Sequence, residues 1–216
     1  MKILLVSATE MEISPLLALF GQTVPRMHFH FGKLELSTLI TGVGMTATAY
    51  SLGRELSSDY DFALNLGLAG SFHKGLQLGE VVHVVEDRFS ELGAEDGEKF
   101  LSAQQLNIGI KDFFRNEKYP ANNVLQSLPM VTGITVNTVH GEEKSIAAVY
   151  GRCHPYVESM EGAAFLMSCA ASGVACAQVR AVSNYVERRD KAKWNIPLAL
   201  SNLNQKIFEI IQAFEK

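Results

Sequence analysis

The chain has 216 residues, enough for one large α/β domain spanning residues 1–216, and its 47% hydrophobic content excludes a disordered chain. A net charge of −4 supplies no basic field for nucleic acid, and no run of about 18 apolar residues is present to span a membrane. Cys153, Cys169 and Cys176 are odd in number and form no CxxC pair, which fits free thiols in a reducing cytoplasm better than a disulfide framework.

In chain order, residues 2–8 read as a buried strand whose Ile3-Leu4-Leu5-Val6 run is too short for a secretory signal. An acidic helix start follows at Glu10-Met11-Glu12. Residues 27–41 alternate around Gly32-Lys33, the pattern of a hairpin. Gly42-Val43-Gly44 then leads into a helical stretch at 46–56. A second buried strand at 62–66 ends in Gly67-Leu68-Ala69-Gly70-Ser71, and a third covers 81–85. Residues 86–129 are the least regular part, charged, with scattered aromatics and a break at Pro120; they suit a lid, an oligomer contact or a plain surface excursion. Beyond them come a strand at 131–136, a helix at 162–173, a strand at 177–182 and a closing amphipathic helix at 196–214. Strands alternating with helices imply a largely parallel sheet covered on both faces, with ligands at the carboxyl ends of its strands.

Gly42-Val43-Gly44-Met45-Thr46-Ala47 fits G-x-G-x-x-A, a dinucleotide-binding fingerprint. The acidic residue expected to end the next strand is missing, since Asp59 and Asp61 precede that strand, so tight-turn glycines are the better reading. His140-Gly141-Glu142-Glu143 has no metal-ligand spacing and reads as a loop His before the acidic first turn of a helix.

Two runs carry chemistry: Val157-Glu158-Ser159-Met160-Glu161-Gly162-Ala163-Ala164 at a strand-to-helix junction, and Arg180-Ala181-Val182-Ser183-Asn184 at the end of an apolar strand. Cleaving an N-glycosidic bond builds positive charge on the ribose and negative charge on the departing base. It needs a carboxylate by the sugar, a donor by the base and a positioned nucleophile. Glu161 suits the ribose hydroxyls, or else simply complements a helix dipole. Glu12 suits activation of water, or else is an ordinary acidic helix start. Met160 packs the sugar or the core. Asn184 offers a purine both donor and acceptor, or is a plain turn residue.

These runs, with Ser7–Glu12, Gly42-Val43-Gly44 and Gly67-Leu68-Ala69-Gly70, resemble in order the purine nucleoside phosphorylase/uridine phosphorylase superfamily on its nucleosidase side. The resemblance implies a three-layer nucleoside phosphorylase-like fold, a central mostly parallel mixed sheet flanked by helices. It makes Glu12 and Asn184 catalytic, and Glu161, Met160, Ser183, Gly70, Ala69, Val139, His140 and Trp194 substrate-binding. It implies no metal or cofactor, a small nucleoside as the partner, and a homo-oligomer, dimer or higher. The phosphorylases carry an arginine and a serine where this chain has Asn65 and Leu68, and Glu12 would repel phosphate, which points to water as nucleophile. An amide at Asn184, in place of the aspartate of methylthioadenosine/S-adenosylhomocysteine nucleosidases, suits a 6-oxo purine. The segment Ser183-Asn184-Tyr185-Val186-Glu187-Arg188-Arg189-Asp190 with Trp194 is similar to the futalosine hydrolase family. That family releases hypoxanthine from futalosine in menaquinone biosynthesis, leaving dehypoxanthine futalosine. Arg88, Phe89, Arg188 and Arg189 are then candidates for the substrate's benzoate, and Trp194 for closing the pocket or packing the last helix. A methylthioadenosine-type nucleosidase, a 6-oxopurine phosphorylase and a non-catalytic nucleotide-binding module are the alternatives.

Overall fold

Every side chain of the Ile3-Leu4-Leu5-Val6 run is buried, and the run divides between two clusters: Ile3 and Leu5 on one face, Leu4 and Val6 on the other. A strand covered on both faces has no place for a polar alternation. This strand, β1 (Lys2–Ser7), lies within the main sheet of a computed structural model that describes residues 1–22, 28–109, 111–116 and 118–215.

After β1 come α1 (Glu10–Leu19), the hairpin β2 (His28–Phe31) and β3 (Leu34–Ile40), α2 (Met45–Glu55), β4 (Phe62–Ser71) and β5 (Val81–Phe89). A small hairpin follows, β6 (Gly93–Asp96) and β7 (Lys99–Ser102), then β8 (Phe113–Arg115) and α3 (Asn123–Gln126). The chain closes with β9 (Met130–Thr135), α4 (Glu143–Cys153), β10 (Val157–Ser159), α5 (Gly162–Ser172), β11 (Cys176–Tyr185) and α6 (Ile196–Glu215).

The main sheet runs β10-β9-β5-β11-β4-β1-β3-β2, with β8 beside β5. Pairs β1–β3, β1–β4, β4–β11, β5–β9 and β9–β10 are parallel; β2–β3, β5–β8, β5–β11 and β4–β10 are antiparallel. Because β10 pairs with both β9 and β4, five strands close into a ring filled by Ala69, Val82, Val84, Val131, Val157 and Val182. Helices α1 and α6 cover one face through Leu16, Leu17, Leu203, Ile207 and Ile211, and α2 and α5 cover the other through Leu52, Phe165, Leu166 and Cys169. The expected three layers are present. Among the described residues no helix is long and apolar enough to cross a membrane.

Two strands run past their expected ends. β4 continues through Gly67–Ser71 as extended strand rather than turn, because Gly70 is paired on both sides, with Glu158 of β10 and Asn184 of β11. β11 likewise includes Asn184, reached through a register shift between Val182 and Asn184. Within residues 86–129, β5 extends to Phe89, and β6, β7, β8 and α3 supply regular structure. Ile110 and Glu117, in that stretch, lie outside the described residues, as does Met27 at the start of the expected hairpin. The hairpin itself forms, with Gly32 at φ 55° in its turn.

Candidate active site

β1 delivers the chain to Thr9, and the first turn of α1 swings Glu12 back over the strand end. Glu12 Oε2 accepts from the Thr9 backbone N and Oγ1, both at 3.0 Å, so the carboxylate does cap its own helix. Its other oxygen, Oε1, accepts from the backbone N–H of Leu68 in β4 at 3.2 Å. The helix-start reading of Glu12 therefore holds for Oε2, while Oε1 is turned towards β4.

Glu161 stands at the N-cap of α5 rather than inside its first turn. Oε1 accepts from Gly44 N at 3.0 Å and Oε2 from Met160 N at 3.3 Å. Gly44 has φ 97°, a conformation suited to glycine, so the Gly42-Val43-Gly44 turn aims a backbone donor at this carboxylate. Met160, half-buried, adjoins it.

Arg180, which carried no role in the sequence, pairs with one of the two carboxylates, Glu161. It is 1% exposed, with Nη2 donating to Asn65 Oδ1 at 2.6 Å and Nη1 3.9 Å from Glu161 Oε2. Asn65 in turn donates to Val6 O at 3.1 Å, so the residue at the phosphorylases' arginine position braces an arginine from β11 instead. A Cβ on Gly67 would collide with Arg180 Nη1 and lie 3.0 Å from Glu12 Oε1. The guanidinium thus pairs with Glu161 and shares the space over Gly67 with Glu12 Oε1, and a buried Arg of this kind is stable only when paired. Its Nε has no protein partner among the described residues.

A separate cleft of about 90 Å³ is lined by Gly70, Val139, His140, Glu158, Asn184 and Trp194, among others. That is far below the roughly 300–1,000 Å³ of a drug-sized site, and suits a single ring system. Ser183 Oγ lies 2.8 Å from Asn184 Oδ1 and 3.3 Å from Ala69 O. Asn184 Nδ2 donates to Tyr185 O at 3.1 Å, which leaves one amide hydrogen unused. The side chain of Ala69 packs in the ring core, so its carbonyl is what it offers. Trp194 lines the cleft with Arg189, whose guanidinium lies 5.0 Å from the indole ring centroid. Of the four benzoate candidates, Arg188 is exposed, while Arg88 and Phe89 line a different cleft with Arg152, Arg88 facing Asp112 at 3.5 Å.

Beneath α5 lies a buried polar knot. Asp87 accepts from Thr135 Oγ1, Gln178 Nε2 and Arg88 N, each at 2.8 Å. Thr135 Oγ1 also accepts from Ala163 N at 2.7 Å. Burial pushes the Asp87 carboxyl up to about 6, against its hydrogen bonds and the nearby Arg180 charge. Among the described residues no group of three or more His, Cys, Asp and Glu is placed to hold a metal.

The arrangement is a carboxylate–guanidinium pair with a second carboxylate nearby, beside a small cleft with an amide at its edge. The model of the phosphorylase superfamily matches residues 2–214. A futalosine hydrolase of Thermus thermophilus is 33% identical over 181 residues, 80% of either chain. A native structure of futalosine hydrolase of Helicobacter pylori superposes with a TM-score of 0.78 at 15% identity, covering 98% of this chain and 97% of that one. A mutant MTAN of the same organism with 5'-methylthioadenosine in its active site gives 0.79 at 16%, covering 98% of each; both superpositions show the fold. The chain belongs to the phosphorylase superfamily and, within it, to the futalosine hydrolase family.

Proposed function

We propose that this chain hydrolyses the N-glycosidic bond of futalosine, releasing hypoxanthine and dehypoxanthine futalosine. The observation that carries hydrolysis is the contact of Glu12 Oε1 with Leu68 N. A fixed carboxylate takes the backbone donor that an anion would need, and at that position it repels phosphate but accepts a proton from water. In this mechanism Glu12 removes the proton as the water oxygen bonds to the ribose anomeric carbon. The electron pair of the glycosidic bond leaves with the base. Glu161 turns from Gly44 to the ribose hydroxyls, and its charge favours the cationic sugar of the transition state. Arg180 holds Glu161 in place. The spare amide hydrogen of Asn184 meets the charge that develops on the base.

Support for the substrate comes from the curated relatives named futalosine hydrolase and from the amide at Asn184. The same reading makes the protein a cytoplasmic homo-oligomer serving menaquinone biosynthesis. The free Cys153, Cys169 and Cys176 fit that compartment. The test is incubation with futalosine, inosine and methylthioadenosine, each with and without phosphate, followed by chromatography of the released base. Hypoxanthine from futalosine without phosphate is expected. Release that requires phosphate, or adenine from methylthioadenosine as the main product, would overturn the assignment.

A further inference from the structure

Glu158 has no part in the water or ribose chemistry, yet it is 4% exposed and lines the base cleft. The sheet explains its position. Gly70 of β4 pairs with Glu158 on one side and with Asn184 on the other. A Cβ on Gly70 would lie 3.1 Å from Asn184 Nδ2 and 3.7 Å from Glu158 Cγ, so both side chains stand over the same face of this glycine. Both oxygens of Glu158 are held by His140: Oε1 accepts from the backbone N at 3.0 Å and Oε2 from ring Nδ1 at 2.7 Å. A carboxylate only accepts, so Nδ1 carries the proton. In the neutral ring Nε2 is then a bare lone pair, and among the described residues no protein group bonds to it.

We propose that His140, positioned by Glu158, is the specificity-determining residue for the leaving base. Its Nε2 accepts the N1–H of a 6-oxopurine while Asn184 bonds the N7 and O6 edge. A 6-aminopurine has no hydrogen on N1 and would set one lone pair against another. Such a mismatch in a small cleft rejects the wrong base more strongly than any change of size. This deepens the proposed futalosine reading and rests on it.

Trp194 is the only Trp and lines the same cleft, so binding of free bases is read by its quenching and checked by calorimetry. The wild-type chain is expected to bind hypoxanthine about tenfold or more tighter than 1-methylhypoxanthine or adenine. His140→Ala should bring the three close together. Glu158→Gln gives the sharper outcome. Its single amide oxygen is needed by His140 N, so the NH₂ group faces Nδ1 and drives the ring proton to Nε2. A donor at Nε2 suits adenine, and the preference should move towards adenine. A merely structural role for Glu158 would weaken all three bases alike, and that result overturns the proposal. So does equal binding of hypoxanthine and 1-methylhypoxanthine by the wild-type chain. Futalosine cleavage with N1-blind binding removes this role and keeps the hydrolase; N1-sensitive binding without futalosine cleavage removes the hydrolase alone.

Discussion

Arg180 is 1% exposed and lies 3.9 Å from Glu161, with Glu12 Oε1 across Gly67, so Glu161 is not an independent group. Glu12→Gln keeps the shape, gives up one of the carboxylate's two accepting oxygens, and cannot take a proton. We expect kcat to fall by about 10²–10⁴-fold with KM little changed, read by steady-state kinetics on futalosine. Turnover that survives would assign water activation to another group. Asn184→Asp places a carboxylate against the base's O6 and should lower kcat/KM for the 6-oxo substrate by about tenfold or more, while a folded variant with unchanged kcat/KM would remove Asn184 from the site. Glu12, Glu161 and Asn184 stand out as candidates in the sequence because each lies near a strand end within a run that resembles the family's. Arg180 does not, because its meaning lies in Asn65, 115 residues away, and in the close approach of Gly67. No local pattern distinguishes a buried, paired Arg from one that ends a strand at the surface.

At the scale of elements, the apolar runs and Gly punctuation sufficed for β1, the β2–β3 hairpin, α2, α5 and α6. They failed where glycine serves extended structure. The Gly67-Leu68-Ala69-Gly70 segment reads as the end of the strand at 62–66, yet it continues as strand, and its glycines make room for side chains of β10, β11 and α1. Glycine in a strand often marks such an approach. Gly67→Ala should therefore displace Arg180, destabilise by about 1–3 kcal/mol and depress activity. Gly53, exposed in α2, has nothing within 4 Å of an added Cβ. Gly53→Ala should stabilise by about 0.5–1 kcal/mol with activity unchanged. Thermal unfolding of the two variants beside the parent checks both, and a stabilised Gly67→Ala would refute the packing account. The polar knot under α5 was also invisible in the sequence, since Asp87, Thr135, Ala163 and Gln178 come from four different elements.

Two buried groups respond to mild acid in opposite directions. Burial raises Asp87 from 3.8 to about 6, so between those values the folded chain holds a proton that the unfolded chain has lost, and stability falls as pH rises. Burial lowers His83 from 6.5 to about 4. Its ring is edge-on to Tyr119, with Asn116 at 3.0 Å from Nε2. Here the unfolded chain holds the extra proton, and stability rises with pH across nearly the same window. Each shift of about two units corresponds to on the order of 3 kcal/mol, so the slopes offset each other and the parent chain should be nearly indifferent to pH between about 4 and 6. Asp87→Asn breaks that balance. Its Oδ1 still accepts from Thr135 and Arg88, and its NH₂ meets Gln178, whose unpartnered Oε1 gains a donor when the amide turns. With only His83 titrating, the variant should gain on the order of 3 kcal/mol of stability from pH 4 to 6.5, measured by urea unfolding at half-unit intervals. A flat profile in Asp87→Asn would mean that His83 does not titrate in this range. A steep profile in the parent would mean that Asp87 stays ionised beneath α5, where Thr135 links it to the helix start beside Glu161.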